Sequence, residues 1–153
     1  MPTKPIRVLF ICTGNSARSQ LAEAMIRLMG GPDFEAFSAG TEPRGVDPNT
    51  IHVLQEICID WTGARSKPLT EFIGQKLDCV ITVCDRARQS CPVFPGSGET
   101  LHWDLPDPAE VEGTDEDKLE AFRRTRTQVA DHLRPFVAEA LERRAAREAE
   151  AAV

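Results

Sequence analysis

The chain has 153 residues, 41% of them hydrophobic, which is enough to bury the core of one ordinary domain. Its formal net charge of -6 at pH 7 argues against a general binder of nucleic acid or of a membrane surface. No apolar run approaches the ~20 residues of a membrane span, and the N-terminal run lacks a small-residue cleavage site, which predicts a cytoplasmic protein.

Short apolar runs alternate with helical patterns along the chain. The first run, RVLFIC, ends at Cys12, is apolar on both faces and predicts a buried strand, which a helix ending near Gly30 follows. Three further strands are predicted for FEAFSAG, LDCVITVC and ETLHWD, with a helix at PNTIHVLQEIC. This alternation predicts an α/β fold, a three-layer sandwich of about four parallel strands with helices on both faces.

The C-terminal part of the chain predicts one long helix. Apolar residues recur at helical spacing from Leu119 to Leu141, and Pro135 inside this stretch predicts a kink or a break. The apolar face is then lost, so residues from about 145 to 153 are expected to form a frayed tail. Because no internal repeat or linker is present, residues 1–153 are predicted to form a single domain.

The segment CTGNSARS, from Cys12 to Ser19, carries the first candidate site. It joins a strand to a helix, and in such folds ligands bind beyond the carboxyl ends of the strands. Amides and the helix dipole attract an oxyanion there, and Arg18 can add a forked contact. This field and the Ser19 hydroxyl favour the nucleophilic thiolate of Cys12. The predicted oxyanion-binding residues are Thr13, Gly14, Asn15, Ser16, Ala17 and Arg18.

A plain strand, turn and helix with a buried thiol is the alternative interpretation. The six-residue spacing of Cys12 and Arg18, with Ser19 next, argues against it. The segment resembles the C-x5-R-S loop of the low-molecular-weight tyrosine phosphatase superfamily, and SAG at 38–40 extends the resemblance.

The resemblance also implies roles for the site residues. Cys12 is the implied nucleophile, Arg18 the oxyanion clamp, and Asp107 the general acid in a mobile loop. Asp104 competes with Asp107 for the acid role. Asp107 is favoured because it directly precedes a proline, as in the family pattern.

Two further cysteines indicate the kind of reaction. Cys84 ends a predicted strand and Cys91 follows seven residues later, whereas Ala17 stands where eukaryotic-type phosphatases carry a second loop cysteine. This arrangement resembles the thioredoxin-coupled arsenate reductases of the same superfamily, which also share the H-W…D-P-A segment, here His102 to Ala109.

That resemblance implies a three-cysteine relay without an organic cofactor. Cys12 attacks arsenate, Cys84 attacks the Cys12 adduct, and Cys91 resolves it to a Cys84–Cys91 disulfide. Thioredoxin is the implied reductant, and phosphate or sulfate are expected to mimic arsenate in the loop. A tyrosine phosphatase that uses only the nucleophile, clamp and acid is the first alternative. A redox-sensing or oxyanion-sensing binding module is the second.

A potassium ion is the one metal that the resemblance implies, since some members bind one behind the loop. Asn15, Glu23 and Ser38 match the residues they use, and Glu71 is the candidate for a position that the pattern fills with aspartate. Ordinary bracing of the loop by these side chains is the favoured alternative. Zinc is not predicted, because the sequence has no C-x2-C pair.

Overall fold

The computed structural model of the chain describes residues 3–84 and 98–152. Cys91, and with it the predicted Cys84–Cys91 disulfide, lies outside the described residues. Four parallel strands form one sheet in the order β2-β1-β3-β4: β1 Ile6–Cys12, β2 Phe34–Gly40, β3 Cys79–Thr82 and β4 Glu99–His102. The main helices are α1 Arg18–Gly30, α2 Pro48–Gln55 and α3 Asp115–Ala151. The predicted α/β class with a four-stranded parallel sheet is therefore confirmed.

The strand β1 lies between β2 and β3, in the most buried part of the molecule. Val8, Leu9, Phe10 and Ile11 are all 0% exposed. Successive side chains of a strand point to opposite faces, so both faces of the sheet are covered at β1. The continuous apolar run of the sequence follows from this burial on two sides.

The register of the sheet decides which residues meet at its carboxyl edge. Cys12 lies opposite Gly40 of β2, and Ile11 lies opposite Thr82 of β3. The third strand ends at Thr82, earlier than the apolar run LDCVITVC predicts, and Cys84 follows two residues later. The ends of β1 and β3 therefore bring Cys12 and Cys84 to the same edge of the sheet.

The helix α3 is longer and more continuous than its sequence predicts. It runs through Pro135 without a break, and it continues to Ala151, so residues 145–151 are helical. Leu133 before the proline is 0% exposed and Phe136 after it packs on the core, which anchors the helix on both sides. Alanine, glutamate and arginine dominate the last turns and are strong helix formers. None of the described helices is apolar enough over a sufficient length to cross a membrane.

Candidate active site

The segment from Cys12 to Gln20, here called the cradle, links the end of β1 to the first turn of α1. Its Cys12 is 2% exposed and faces a cavity of about 300 Å³. A second segment, residues 104–110, here called the acid segment, lines the same cavity. The cavity is lined by the predicted residues Cys12, Thr13, Gly14, Ser16, Ala17, Arg18, Cys84, Asp104 and Asp107, and also by Arg44.

Two hydrogen bonds reach the sulfur of Cys12. The backbone N–H of Asn15 donates to Sγ over 3.2 Å, and Ser19 Oγ lies 2.8 Å from Sγ. The side-chain amide of Asn15 donates to Ser19 Oγ over 2.8 Å. Because Ser19 accepts from Asn15, its own proton is available to Sγ. Both contacts stabilise negative charge on the sulfur.

The orientation of the Asn15 side chain is fixed by groups that can only donate. The backbone N–H of Lys67 donates to Asn15 Oδ1 over 2.8 Å, so this atom is the oxygen and the amide nitrogen faces Ser19. Gln20 also donates to Oδ1, over 3.0 Å. Asn15 is 0% exposed and has a φ of 48°, a left-handed conformation that asparagine tolerates better than most residues. Asn15 therefore braces the cradle, while the other five predicted oxyanion-binding residues line the cavity.

Gln20 and Trp61 extend this bracing beyond the predicted site. The indole N–H of Trp61 donates to Gln20 Oε1 over 2.9 Å, which orients the amide so that its nitrogen faces Asn15. The hydrogen bonds thus run in one direction, from Trp61 through Gln20, Asn15 and Ser19 to Cys12. Sequence analysis does not assign Trp61 to the site, because its separation of 41 residues from Gln20 leaves no local signal.

Gly40, in the SAG segment, allows β2 to approach the cradle closely. A Cβ atom at this position would lie 2.6 Å from the carbonyl oxygen of Thr13 and 2.9 Å from the nitrogen of Asn15. Both neighbours are backbone atoms that cannot turn away. Only glycine therefore fits here without displacing the cradle.

Arg18 joins the cradle to the acid segment. Its Nη1 donates to the carbonyl of Leu105 over 3.1 Å, and its Nη2 lies 3.5 Å from Asp107 Oδ2. The Arg18 side chain is only 11% exposed, so its guanidinium is held at the cavity rather than in solvent. Asp107 Oδ1 accepts the backbone N–H of Ala109, which caps the short turn Pro108–Glu110 and orients the carboxylate. The structure thus brings the predicted clamp and acid together, whereas Asp104 lines the cavity as an exposed residue.

Cys84 is the second thiol at the cavity. It is 5% exposed, and its Sγ lies 3.3 Å from the hydroxyl of Thr13 in the cradle. Cys79 lies in the core at the other end of β3, where burial and then the charge of Glu99 raise the pKa of its thiol to about 12. Of these two cysteines, Cys84 borders the cavity, whereas Cys79 is a core residue.

Trp103, in the segment His102 to Ala109, packs in the hydrophobic core. Trp103 stacks on His132 with ring centroids 5.0 Å apart and also contacts Phe10, so it belongs to the core. Within residues 3–84 and 98–152, no three His, Cys, Asp or Glu side chains come together in a way that could hold a metal ion.

Comparisons with known proteins agree with this geometry. The family model for low molecular weight phosphotyrosine protein phosphatase matches residues 7–147. An arsenate reductase of Halalkalibacterium halodurans is 40% identical over 129 residues, 84% of this chain and 93% of that protein. A solved arsenate reductase in the phosphate binding state is 31% identical with a TM-score of 0.76, covering 88% of this chain and 98% of its own. A solved thioredoxin-dependent arsenate reductase of Corynebacterium glutamicum is 30% identical with a TM-score of 0.67, covering 91% of this chain and 65% of its own. The chain belongs to the low molecular weight phosphotyrosine protein phosphatase family.

Proposed function

We propose that this protein reduces arsenate to arsenite, with thiols as the source of electrons. The observation that carries the proposal is the second buried thiol, Cys84, in the same cavity as Cys12, Arg18 and Asp107. Phosphate ester hydrolysis requires no second thiol, whereas reduction requires an electron donor beside the nucleophile. The arsenate reductases among the similar proteins support this choice of substrate.

The first step is nucleophilic attack on a bound oxyanion. Arsenate is tetrahedral, like the phosphate named for one of the similar structures, and the cradle amides with Arg18 offer donors to its oxygens. The thiolate of Cys12 forms an S–As bond. Asp107 gives its proton to the departing oxygen, which leaves as water when the As–O bond breaks.

The second step transfers two electrons to arsenic. Cys84 attacks the sulfur of Cys12, so that an S–S bond forms and the S–As bond breaks. Arsenic keeps the electron pair and leaves as arsenite. Cys91 then attacks Cys84, releasing Cys12 as a thiolate and leaving a Cys84–Cys91 disulfide. Cys91 lies outside the described residues, so this last exchange rests on the sequence and on the similar proteins.

Thioredoxin is the proposed reductant of that disulfide. Its dithiol supplies two electrons per turnover and becomes a disulfide itself, which balances the reduction of one arsenate. The support for this partner is the thioredoxin-dependent arsenate reductase among the similar structures.

The test is arsenate-dependent NADPH oxidation coupled through thioredoxin and its reductase. Wild type is expected to turn over repeatedly, and Cys84→Ala is expected to lose multiple turnover because arsenite release needs the second thiol. Cys79→Ala removes the buried core thiol at the other end of β3 and is the matched control, expected to retain turnover. Full coupled activity in Cys84→Ala would exclude the relay.

Tyrosine phosphatase activity is the second candidate function. The set Cys12, Arg18 and Asp107 contains every group that hydrolysis of an aryl phosphate needs. Slow hydrolysis of p-nitrophenyl phosphate is therefore expected from wild type and from Cys84→Ala alike. Efficient hydrolysis combined with no arsenate reduction in wild type would place the phosphatase function first.

A further inference from the structure

Glu23 is a buried carboxylate of α1 that already contacts two cations. It is 4% exposed, and its Oε1 accepts the hydroxyl proton of Ser38. The ammonium of Lys67 lies 3.6 Å from Oε1, and the guanidinium of Arg27 pairs with Oε2. One negative charge in this place is thus matched by two positive charges from the chain itself.

The oxygens that a potassium ion would use at this place are already engaged. A carbonyl-type oxygen has two lone pairs, and those of Asn15 Oδ1 accept from the backbone of Lys67 and from Gln20. Ser38 donates its proton to Glu23, whose carboxylate already faces the positive charges of Lys67 and Arg27. These two charges would repel a third cation, so the residues that the resemblance assigns to potassium do not fit the ion in this chain.

Glu71, the remaining candidate ligand, is directed elsewhere. Its two carboxylate oxygens accept from the two terminal nitrogens of Arg65 over 2.7 and 2.8 Å. Such a forked pair uses both oxygens of the acid at once. Glu71 therefore binds Arg65 and does not face Glu23.

We propose that the ammonium of Lys67 is the resident cation beside Glu23, and that Lys67 is a positioning residue which braces the cradle at the place where the resemblance implies a potassium ion. Its side chain binds Glu23, and its backbone N–H donates to Asn15 Oδ1. Asn15 in turn holds Ser19 against Cys12. One residue thus connects the buried charge of Glu23 to the sulfur through two hydrogen-bonded side chains.

The surroundings of Lys67 are those of a structural cation rather than of a solvated surface lysine. Its side chain is 14% exposed. Burial lowers the pKa of Lys67 from the usual 10.5, and the charge of Glu23 opposes this shift. The charge of Glu23 therefore offsets part of the desolvation cost of the Lys67 ammonium.

The first test compares cations at constant ionic strength. Because Lys67 already supplies the charge, the wild-type melting temperature is expected to agree within about 1 °C in potassium chloride and in choline chloride. A potassium-specific rise in the melting temperature of wild type would overturn the proposal. This measurement needs no arsenate, so it is independent of whether the proposed reductase function is correct.

The second test changes the residue. Lys67→Met is expected to lower the melting temperature by roughly 5 °C, because Glu23 loses a buried cation and the backbone N–H that holds Asn15 loses the side-chain anchor of its residue. It is also expected to weaken phosphate binding by roughly tenfold in calorimetric titration, because a loosened cradle must be ordered by the ligand. Lys67→Arg keeps the charge and should restore most of both properties, while Lys76→Met is the exposed control.

A third variant is designed to make the stability of the protein depend on potassium. Lys67→Asp removes the resident cation and adds a carboxylate near Glu23, so potassium chloride is expected to raise its melting temperature above that in choline chloride. If Lys67→Met matches wild type in stability and in phosphate binding, the positioning role is wrong. The coupled arsenate assay depends on the proposed function. A lower kcat in that assay therefore counts for the positioning role only when the phosphate titration shows weaker binding as well.

Discussion

The cradle and the acid segment face the same cavity, but they are held in different ways. In the cradle Asn15, Ser19 and Gln20 are all 0% exposed and are joined by side-chain hydrogen bonds. In the acid segment Asp104 and Glu110 are exposed, and Asp107 is oriented by its own turn and by Arg18. The polar side chains of the cradle are therefore part of the core, whereas the acidic side chains of the acid segment reach the surface from a backbone that the buried Leu105 anchors.

This difference separates binding from proton transfer. Donors that are fixed before the substrate arrives need no reorganisation when negative charge develops, which suits the cradle. A general acid must meet its proton acceptor only in the reacting complex, and the Asp107 side chain, which is 22% exposed, has room to adjust to that geometry. Changes in the cradle should therefore affect oxyanion binding and stability, whereas changes in the acid segment should affect turnover.

Arg18→Lys is expected to have the largest effect, because Arg18 belongs to both sides. Lysine keeps the charge but cannot make the forked contact with an oxyanion while also reaching the carbonyl of Leu105. We expect kcat/KM to fall by about 10²–10³-fold in the coupled arsenate assay. Arg126→Lys is the matched control, since Arg126 also binds a backbone carbonyl and a carboxylate, on α3 and away from the cavity. Near-normal kcat/KM in Arg18→Lys would show that Arg18 is not the clamp.

Asp107→Asn is expected to lower kcat by about 10²-fold, with little change in stability. Asparagine can still accept the N–H of Ala109, so the turn is preserved while the proton donor is lost. Asp104→Asn in the same segment is the comparison, with kcat within about threefold of wild type. Single-turnover rates with arsenate measure this loss, and they are expected to fall only in Asp107→Asn. The reverse ranking would assign the acid role to Asp104.

Gly40→Ala tests the packed side of the site. The new Cβ would meet backbone atoms of Thr13 and Asn15, so we expect a loss of roughly 1–3 kcal/mol in the free energy of unfolding and weaker phosphate binding. Urea denaturation with and without phosphate measures both. Gly14→Ala is the control for stability alone, because its Cβ would come no closer than 3.4 Å to neighbouring side-chain atoms. Equal stability of the two variants would mean that the cradle is not rigid.

Glu56→Gln measures the effect on stability of a change that is remote from both the cradle and the acid segment. Arg123 and then Arg126 lower the pKa of Glu56 from 4.5 to about 2, which ties the end of α2 to α3. A lowered carboxyl pKa contributes stability above about pH 4.5 that is lost as the pH falls towards 2. The variant should therefore lose about 1 kcal/mol at pH 7, and the difference from wild type should vanish near pH 2. If the difference in the free energy of unfolding between the variant and wild type stayed constant with pH, this linkage would be excluded. The kcat of the variant should equal that of wild type, because Glu56 lies away from the cavity.

The sequence predicts the positions of Cys12 and Arg18 at the cavity better than it predicts the contacts that hold them. Cys12 and Arg18 lie in one strand–turn–helix, so their geometry is local and spacing is enough to place them at the cavity. Lys67 and Trp61 reach the cradle from 52 and 41 residues away, through contacts that no periodicity encodes. The residues after 145 have lost their apolar face, yet they continue the helix to Ala151, in line with the intrinsic helix preference of alanine, glutamate and arginine; fraying of this tail stays a prediction.

The contact between the backbone of Lys67 and Asn15 also bears on how the chain matures during synthesis. The residues predicted to bind the oxyanion are among the first twenty, but their conformation depends on Gly40, on Lys67 and, through Arg18, on Leu105. A nascent chain that stops before residue 105 therefore has the nucleophile without a finished binding loop. We therefore expect phosphate or arsenate to bind the completely folded chain and not the incomplete one. A ligand that binds only the folded state and is present at 100 times its Kd adds about 2.7 kcal/mol to the free energy of unfolding. Resistance to proteolysis should accordingly rise along the entire molecule when phosphate is added.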